Sequence, residues 1–310
     1  MNLIFSSFHF NPVANKSHAV KIETYLHNIY VALCSAKDNN PEDDVALIIT
    51  PDTNPVIPDD FKNQLSKKNI LIKEMPFDSF LGDNNQIWSF SFYRLSIIKA
   101  LCEDDTYENF CSIDSDTVTV RSYKDMWYDC KDFILLYDIN HSHEIEQAKD
   151  TFLDYKDLTN KEVYLTNYGG EFIAGSKKIF KEYMKVCLDV FNRLMEKGIQ
   201  YKHGDETVLG IASYEAFDKG IRVKNASPYV FRFWTSEHFK LICTVYKYNP
   251  VCVYHLPDEK THGLEKIYKY YVRKNNLPSN EKISKWSGIK CKSAFRPRVF
   301  IGRLIGFLRR

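Results

Sequence analysis

Phe110-Cys111-Ser112-Ile113-Asp114-Ser115-Asp116 is the stretch on which the fold turns. A short run of strand-forming residues stops abruptly at two carboxylates one residue apart. The run is too short for a helix and reads as a buried strand. The carboxylates cannot stay in an apolar layer without partners, so they belong where the sheet opens to solvent. On its N-terminal side, strand and helix signals alternate. Residues 3–10 read as a strand. Residues 18–37 read as an amphipathic helix with Val20, Ile22, Tyr25, Leu26, Ile29 and Leu33 on its apolar face. Residues 45–50 form an apolar run closed by Pro51, residues 70–73 the next strand, and residues 87–102 a strongly apolar helix. Strands that alternate with helices at this spacing predict an α/β fold, a mostly parallel sheet with helices on both faces. In such sheets ligands sit at the carboxyl ends of strands, which is where Asp114 falls.

Beyond the paired carboxylates the pattern is less regular. Strands are predicted at 133–137, 171–174, 221–223 and 251–254. A polar helix or loop is predicted at 139–155, a clear helix at 177–196 ended by Gly198, and a short helix starting near Asp205. There is no internal repeat and no low-complexity linker.

Composition narrows the class. The 310 residues are 44% hydrophobic and 26% charged, as expected of a folded chain rather than a disordered one. The net charge of +2 conceals an asymmetry. From Lys282 to Arg310 there are four lysines, five arginines and no acidic residue, a tail of +9, so the rest of the chain carries −7. An acidic body with a basic tail excludes a uniformly basic nucleic-acid binder, and no nucleic-acid partner is expected. The eight cysteines are scattered, with no C-x-x-C pair. With no basic n-region before the first strand, this predicts reduced thiols and a cytoplasmic location. No apolar stretch approaches the roughly 20 residues that span a bilayer. The aromatic content, 15% with 20 Tyr and 21 Phe, suits a site that stacks rings or sugars but equally an aromatic-rich core.

Four further segments bear on chemistry. Phe92-Tyr93-Arg94-Leu95-Ser96 lies in the helix before the carboxylate strand, where Arg94 either reaches a ligand or salt-bridges on the helix face. Asn167-Tyr168-Gly169-Gly170-Glu171-Phe172-Ile173-Ala174-Gly175-Ser176 pairs two glycines that would let backbone approach a ligand closely. His203-Gly204-Asp205-Glu206-Thr207-Val208-Leu209 puts two acids at a helix start, which suits both capping and catalysis. Val253-Tyr254-His255-Leu256-Pro257-Asp258-Glu259-Lys260 ends an apolar run in a histidine, as the run before Asp114 ends in carboxylates. A hard divalent cation that also binds a diphosphate wants one or two carboxylates and open positions, which Asp114 and Asp116 supply.

Taken in order, these segments resemble GT-A glycosyltransferases. The Asp114-Ser115-Asp116 triplet is similar to their D-x-D site, and Tyr93-Arg94-Leu95 looks like the Tyr-Arg-Leu segment of the family 8 enzymes. Residues 167–176 resemble the Tyr-Tyr-Gly-Gly-x-Phe-x-Gly-Gly segment of family 6. Residues 203–209 resemble its His-Asp-Glu-Ser-x-Leu segment, with Gly204 inserted. His255 resembles the histidine of the family 8 His-x-x-Gly-x-x-Lys motif; the spacing differs, which leaves its lysine open between Lys260 and Lys266. The resemblance covers roughly residues 1–270.

It implies a GT-A catalytic domain over residues 1–275 and metal ligation of Mn2+ (or Mg2+) by Asp114, Asp116 and His255. The expected nucleotide-sugar contacts are Ser6, Phe8, Arg94, Asp114, Gly170, Glu171 and Lys260. Glu206, with Asp205 beside it, becomes the catalytic carboxylate: a nucleophile or cation stabiliser in a retaining enzyme, a general base in an inverting one. The expected donor is UDP-linked and the acceptor a glycan or lipid-linked glycan, as in surface polysaccharide synthesis.

Residues 276–310 form a basic amphipathic segment, in which Phe295, Val299, Phe300, Ile301, Leu304, Ile305, Phe307 and Leu308 interleave with Arg296, Arg298, Arg303, Arg309 and Arg310. Such a segment is expected either to lie on an anionic membrane surface, at the inner face of the cell membrane, or to dock on the acidic body. Two rival readings stand beside the enzyme: a non-catalytic sugar- or nucleotide-binding module, and a nucleotidyltransferase. The second is disfavoured because Ser6-Ser7-Phe8-His9-Phe10-Asn11 lacks the Gly-rich loop such enzymes carry after the first strand.

Overall fold

The computed structural model describes residues 1–10, 21–82, 89–139, 145–199, 203–235, 251–289 and 297–308. The predicted helix starts at His18 and Ile87, and the tail residues Phe295, Arg296, Arg309 and Arg310, lie outside them.

Among the described residues, ten strands form two sheets. The larger has seven strands: β1 (Asn2–Phe8), β2 (Asp44–Ile49), β3 (Leu71–Glu74), β4 (Asn109–Ile113), β6 (Ile134–Asp138), β7 (Tyr168–Ser176) and β8 (Val223–Asn225). Their order is β3-β2-β1-β4-β7-β6-β8. All are parallel except β7, which runs antiparallel to both β4 and β6. The apolar runs behave as expected of strands covered on both faces. Leu3, Ile4 and Phe5 in β1, and Val45 through Ile49 in β2, are all buried. Leu3, Phe5 and Phe110 face a core built with the helices Tyr93–Leu101 and Lys177–Glu196. Ile4, Val45 and Cys111 face the opposite core against Ile22–Asn39. The six described cysteines are free and buried.

The predicted elements are present, with boundaries shifted by a few residues. Three differences are larger. The helix predicted over 87–102 is a 3-10 turn, Ser89–Phe92, followed by the helix Tyr93–Leu101. The short helix at Asp205 is a full one, Asp205–Asp218. The polar segment after β6 is the helix Ile145–Thr159, and it is not simply exposed: Thr151, Tyr155 and Leu158 are buried.

No local pattern marked the second sheet's outer strands. β5 (Thr117–Thr119) follows the paired carboxylates directly, β9 is Val230–Arg232, and β10 is Val253–His255. β10 lies between them, antiparallel to β5 and parallel to β9. A third cluster joins this sheet to the rest through Val31, Val118, Tyr254, Leu264 and Ile283. The small sheet matters because its register sets His255 opposite Thr117 and Arg232. The next residue's amide, Leu256 N, donates to Asp116 O at 2.9 Å. The far end of the chain is thereby fastened beside the end of β4.

Candidate active site

At the end of β4 the chain turns at once: the Thr117 hydroxyl donates to Asp114 O at 2.7 Å. Asp114 N donates to Glu171 O on β7 at 3.0 Å, which ties the turn to the neighbouring strand. Asp116 is buried and Asp114 partly open. His255 Nε2 lies 3.2 Å from Asp116 Oδ1 and 3.8 Å from Asp114 Oδ2. One ligand atom from each of Asp114, Asp116 and His255 falls within 4.8 Å of the others. Two carboxylates and an imidazole are a donor set that fits Mn2+ or Mg2+, with Asp114 left open toward solvent. Among the described residues this is the cluster that could hold a metal ion.

Two cations bracket the pair. Lys260, one of the two lysines the resemblance left open, donates from Nζ to Asp116 Oδ2 at 2.7 Å. Arg94 reaches across from the helix after the 3-10 turn. Its Nη2 meets Asp114 Oδ1 at 2.9 Å, its Nε lies 3.2 Å from Asp205 Oδ2, and its Nη1 donates to Gly170 O. One planar guanidinium thus joins β4, β7 and the start of the Asp205–Asp218 helix, a geometry a lysine cannot supply.

The electrostatics follow from burial working against these contacts. Burial alone would raise the Asp116 carboxyl, but Lys260 and His255 hold it well below its ordinary range. Burial alone would lower the His255 imidazole; Asp116 first, then Glu171, bring it up to about 9. Lys260 behaves likewise, desolvated but raised by Asp116. Glu171, which burial would raise, is brought down to about 2 by Arg232 and His255. Asp205 is the exception: burial wins over Arg94 and its carboxyl is raised.

Asp205 and Glu206 divide their tasks. Asp205 is buried against Arg94, and its backbone N–H donates to Ser91 Oγ at 3.0 Å. Glu206 is half-buried and accepts from Gly170 N at 3.3 Å. Gly204, just before this helix, has φ of 61° and ψ of −133°, a backbone conformation that glycine adopts readily and residues with a side chain rarely do.

The paired glycines act in a way the sequence did not indicate. A Cβ on Gly170 would lie 2.5 Å from Asp205 Oδ2, and one on Gly169 would lie 2.7 Å from Glu171 Cδ. Both glycines therefore make room for carboxylates of the chain itself. Glu171 sits in β7 with Oε1 3.3 Å from Arg232 Nη1 and 3.5 Å from His255 Nδ1.

At the end of β1, Ser6 is buried and Phe8 is half-buried, its ring 6.3 Å from that of Tyr25. His9 Nδ1 is 2.8 Å from Thr50 Oγ1, and its ring lies 4.8 Å from that of Phe90. Sequence reasoning missed Arg232, which could have been noticed as a lone cation inside the aromatic run Tyr229-Val230-Phe231-Arg232-Phe233-Trp234.

The tail helix Pro297–Leu308 presents Phe300, Ile301, Leu304 and Ile305 to solvent. Its Arg298 pairs with the fully buried Glu259, the residue before Lys260. No described helix is long and apolar enough to cross a membrane.

No protein-family model matches this chain, and no curated protein sequence matches it. Solved structures do share its architecture. The galactosyltransferase LgtC in complex with donor and acceptor sugar analogs superposes with a TM-score of 0.55 at 13% identity, covering 98% of this chain and 100% of that one. An active-site mutant of LgtC gives 0.56 at 13% identity, over 93% and 100%. Mouse xyloside xylosyltransferase 1 in its apo form gives 0.51 at 10% identity, over 82% and 97%. The fold is the GT-A glycosyltransferase fold expected from the sequence, with its Asp-x-Asp group at the end of β4.

Proposed function

We propose that this chain is a metal-dependent glycosyltransferase that moves a sugar from a UDP-linked donor to a glycan or lipid-linked acceptor, with retention at the anomeric carbon. The observation that carries this reading is the convergence of Asp114, Asp116 and His255 within 4.8 Å on a GT-A fold, with Lys260 and Arg94 beside them. Asp114, Asp116 and His255 would hold Mn2+ (or Mg2+), which when bound supplies positive charge to the diphosphate leaving group.

The chain's own groups complete the site. Lys260, held on Asp116, stands ready to add a second positive charge where negative charge develops. Arg94 orients Asp114 and fixes Asp205, so the two carboxylates do not repel each other freely. Glu206, less buried than Asp205, is the carboxylate available to face the sugar. As the glycosidic bond lengthens, the sugar carbon gains oxocarbenium character, and Glu206 stabilises it or attacks it briefly. Ser6 and Phe8 border the base and ribose; Gly170 lines the sugar side of the site, and the buried Glu171 stands behind His255.

The tail helix supports a peripheral association with the inner face of the cell membrane, with lipid-linked acceptors of surface polysaccharide synthesis as the matching substrates. Its exposed Phe300, Ile301, Leu304 and Ile305 would insert while tail arginines other than Arg298, which is paired with Glu259, meet anionic headgroups.

The test is a panel of UDP-, GDP- and CMP-sugars incubated with Mn2+, with and without acceptors, alongside Asp116→Ala. Consumption of a UDP-sugar, slowed by about 100-fold or more in the variant, is expected. If every donor stays intact while one binds tightly, the chain is a binding module and not an enzyme.

A further inference from the structure

The two ring nitrogens of His255 face carboxylates on opposite sides. Nε2 points to Asp116 and Asp114, whereas Nδ1 lies 3.5 Å from Glu171 Oε1. A neutral imidazole can offer a metal a lone pair on one nitrogen only if the other carries the proton, and a carboxylate beside that other nitrogen selects this tautomer. Glu171 is in place to do so, and three features of the fold keep it there.

Arg232 Nη1 meets Glu171 Oε1 at 3.3 Å, and the guanidinium is itself set over the Trp234 ring, 5.2 Å from its centroid. Register does the rest: β10 carries His255 directly opposite Arg232 on β9, so both partners of Glu171 come from adjacent strands. Gly169, finally, has no side chain where the Glu171 carboxylate lies. A buried carboxylate on a sheet strand is unfavourable unless paired and hydrogen-bonded, and here the pairing is built from three separate strands.

We infer that Glu171 is a positioning residue for His255: it fixes the ring and its tautomer so that Nε2 is presented to the cation, with Arg232 holding Glu171 and Gly169 admitting it. This assigns Glu171 a task directed at the imidazole rather than at the donor sugar, and it rests on the metal reading of the preceding section. Arg232 enters the same arrangement from a strand that no motif marks.

The experiment measures binding of Mn2+ alone, with no donor, by the electron paramagnetic resonance signal of the free ion. Wild type, Asp116→Asn, Glu171→Gln and Gly169→Ala are compared, with circular dichroism as the check on folding. Glu171→Gln is expected to weaken Mn2+ about 10- to 100-fold, and Gly169→Ala, which displaces the carboxylate without removing its charge, to weaken it in the same direction. Should the single variant not fold, Glu171→Gln/Arg232→Gln leaves no charge unpaired and carries the same comparison. A folded Glu171 variant whose Mn2+ affinity stays within about twofold of wild type overturns the inference while the metal reading stands. A wild-type chain that shows no Mn2+ binding sensitive to Asp116→Asn overturns the metal reading, and this inference with it.

Discussion

Asp205 occupies the space a side chain on Gly170 would need: a Cβ there would lie 2.5 Å from Asp205 Oδ2 and 3.1 Å from its Cγ. Asp205 cannot simply swing aside, because its carboxylate is matched to Arg94. Gly170→Ala is therefore expected to strain the strand and loosen Arg94 together. The expected destabilisation is about 1–3 kcal/mol, as for overpacked cores, measured by equilibrium urea unfolding.

Arg94 has its own consequence. It is the shared cation of Asp114 and Asp205, and it also caps the Gly170 carbonyl. Arg94→Met removes that cation and leaves two buried or half-buried acids uncompensated, with an expected loss of about 3–5 kcal/mol in the same unfolding assay. Arg94→Lys should recover only part of it, since a single ammonium cannot serve three acceptors in one plane.

The pH dependence has a definite sign. His255 is raised to about 9 in the folded, metal-free chain, above its unfolded value near 6.5. Its contribution to stability is fully present below about 6.5 and is lost as pH rises through about 9. Metal ligation needs the neutral ring, so Mn2+ and a proton compete for it. Mn2+ affinity should rise with pH by up to about tenfold per unit between pH 6.5 and 8, as followed by titration at fixed ionic strength. A flat profile would show that His255 does not ligate.

Glu206 and Asp205 should separate kinetically. Glu206→Gln keeps shape and its contact with Gly170 N while removing charge, so turnover of the donor should fall about 100- to 1,000-fold with little change in donor affinity. Asp205→Asn disturbs Arg94, and through it Asp114, so it should weaken Mn2+ and donor binding as well.

The tail offers a structural prediction. Arg298 is the charged partner of the buried Glu259 carboxylate, which also takes the Thr235 hydroxyl at 2.6 Å and Gly263 N at 2.9 Å. Arg298→Ala should release the Pro297–Leu308 helix from the body, seen as faster amide exchange across it. Replacing Ile301 and Leu304 with serine should instead leave that docking intact and abolish co-sedimentation with vesicles rich in phosphatidylserine.

Much of this protein was legible from local pattern. The first four strands, the helices after the first and before the fourth, and the placement of Asp114 and Asp116 at a strand's end followed from local apolar runs, because burial on both faces leaves an unbroken apolar signature; the helix Asp59–Ser66 between the second and third strands was not predicted. The pairing of Arg94 with Asp114 was half legible: the helix was predicted, but whether Arg94 faced a ligand or another side chain was not. What it touches is both Asp114 and Asp205, from opposite halves of the chain.

Local residue pattern was enough for the α/β alternation, the carboxylate pair and the apolar runs that end in Asp114 and His255. Tertiary structure alone decided which lysine meets Asp116, what the two glycines are for, and that Glu171 faces His255 and Arg232. The reason is physical. These contacts depend on the pairing of β5 with β10 and of β10 with β9, three-residue strands too short to announce themselves, and on β7 running antiparallel beside β4. Each joins residues whose separation along the chain is set by register across sheets, which no local periodicity encodes.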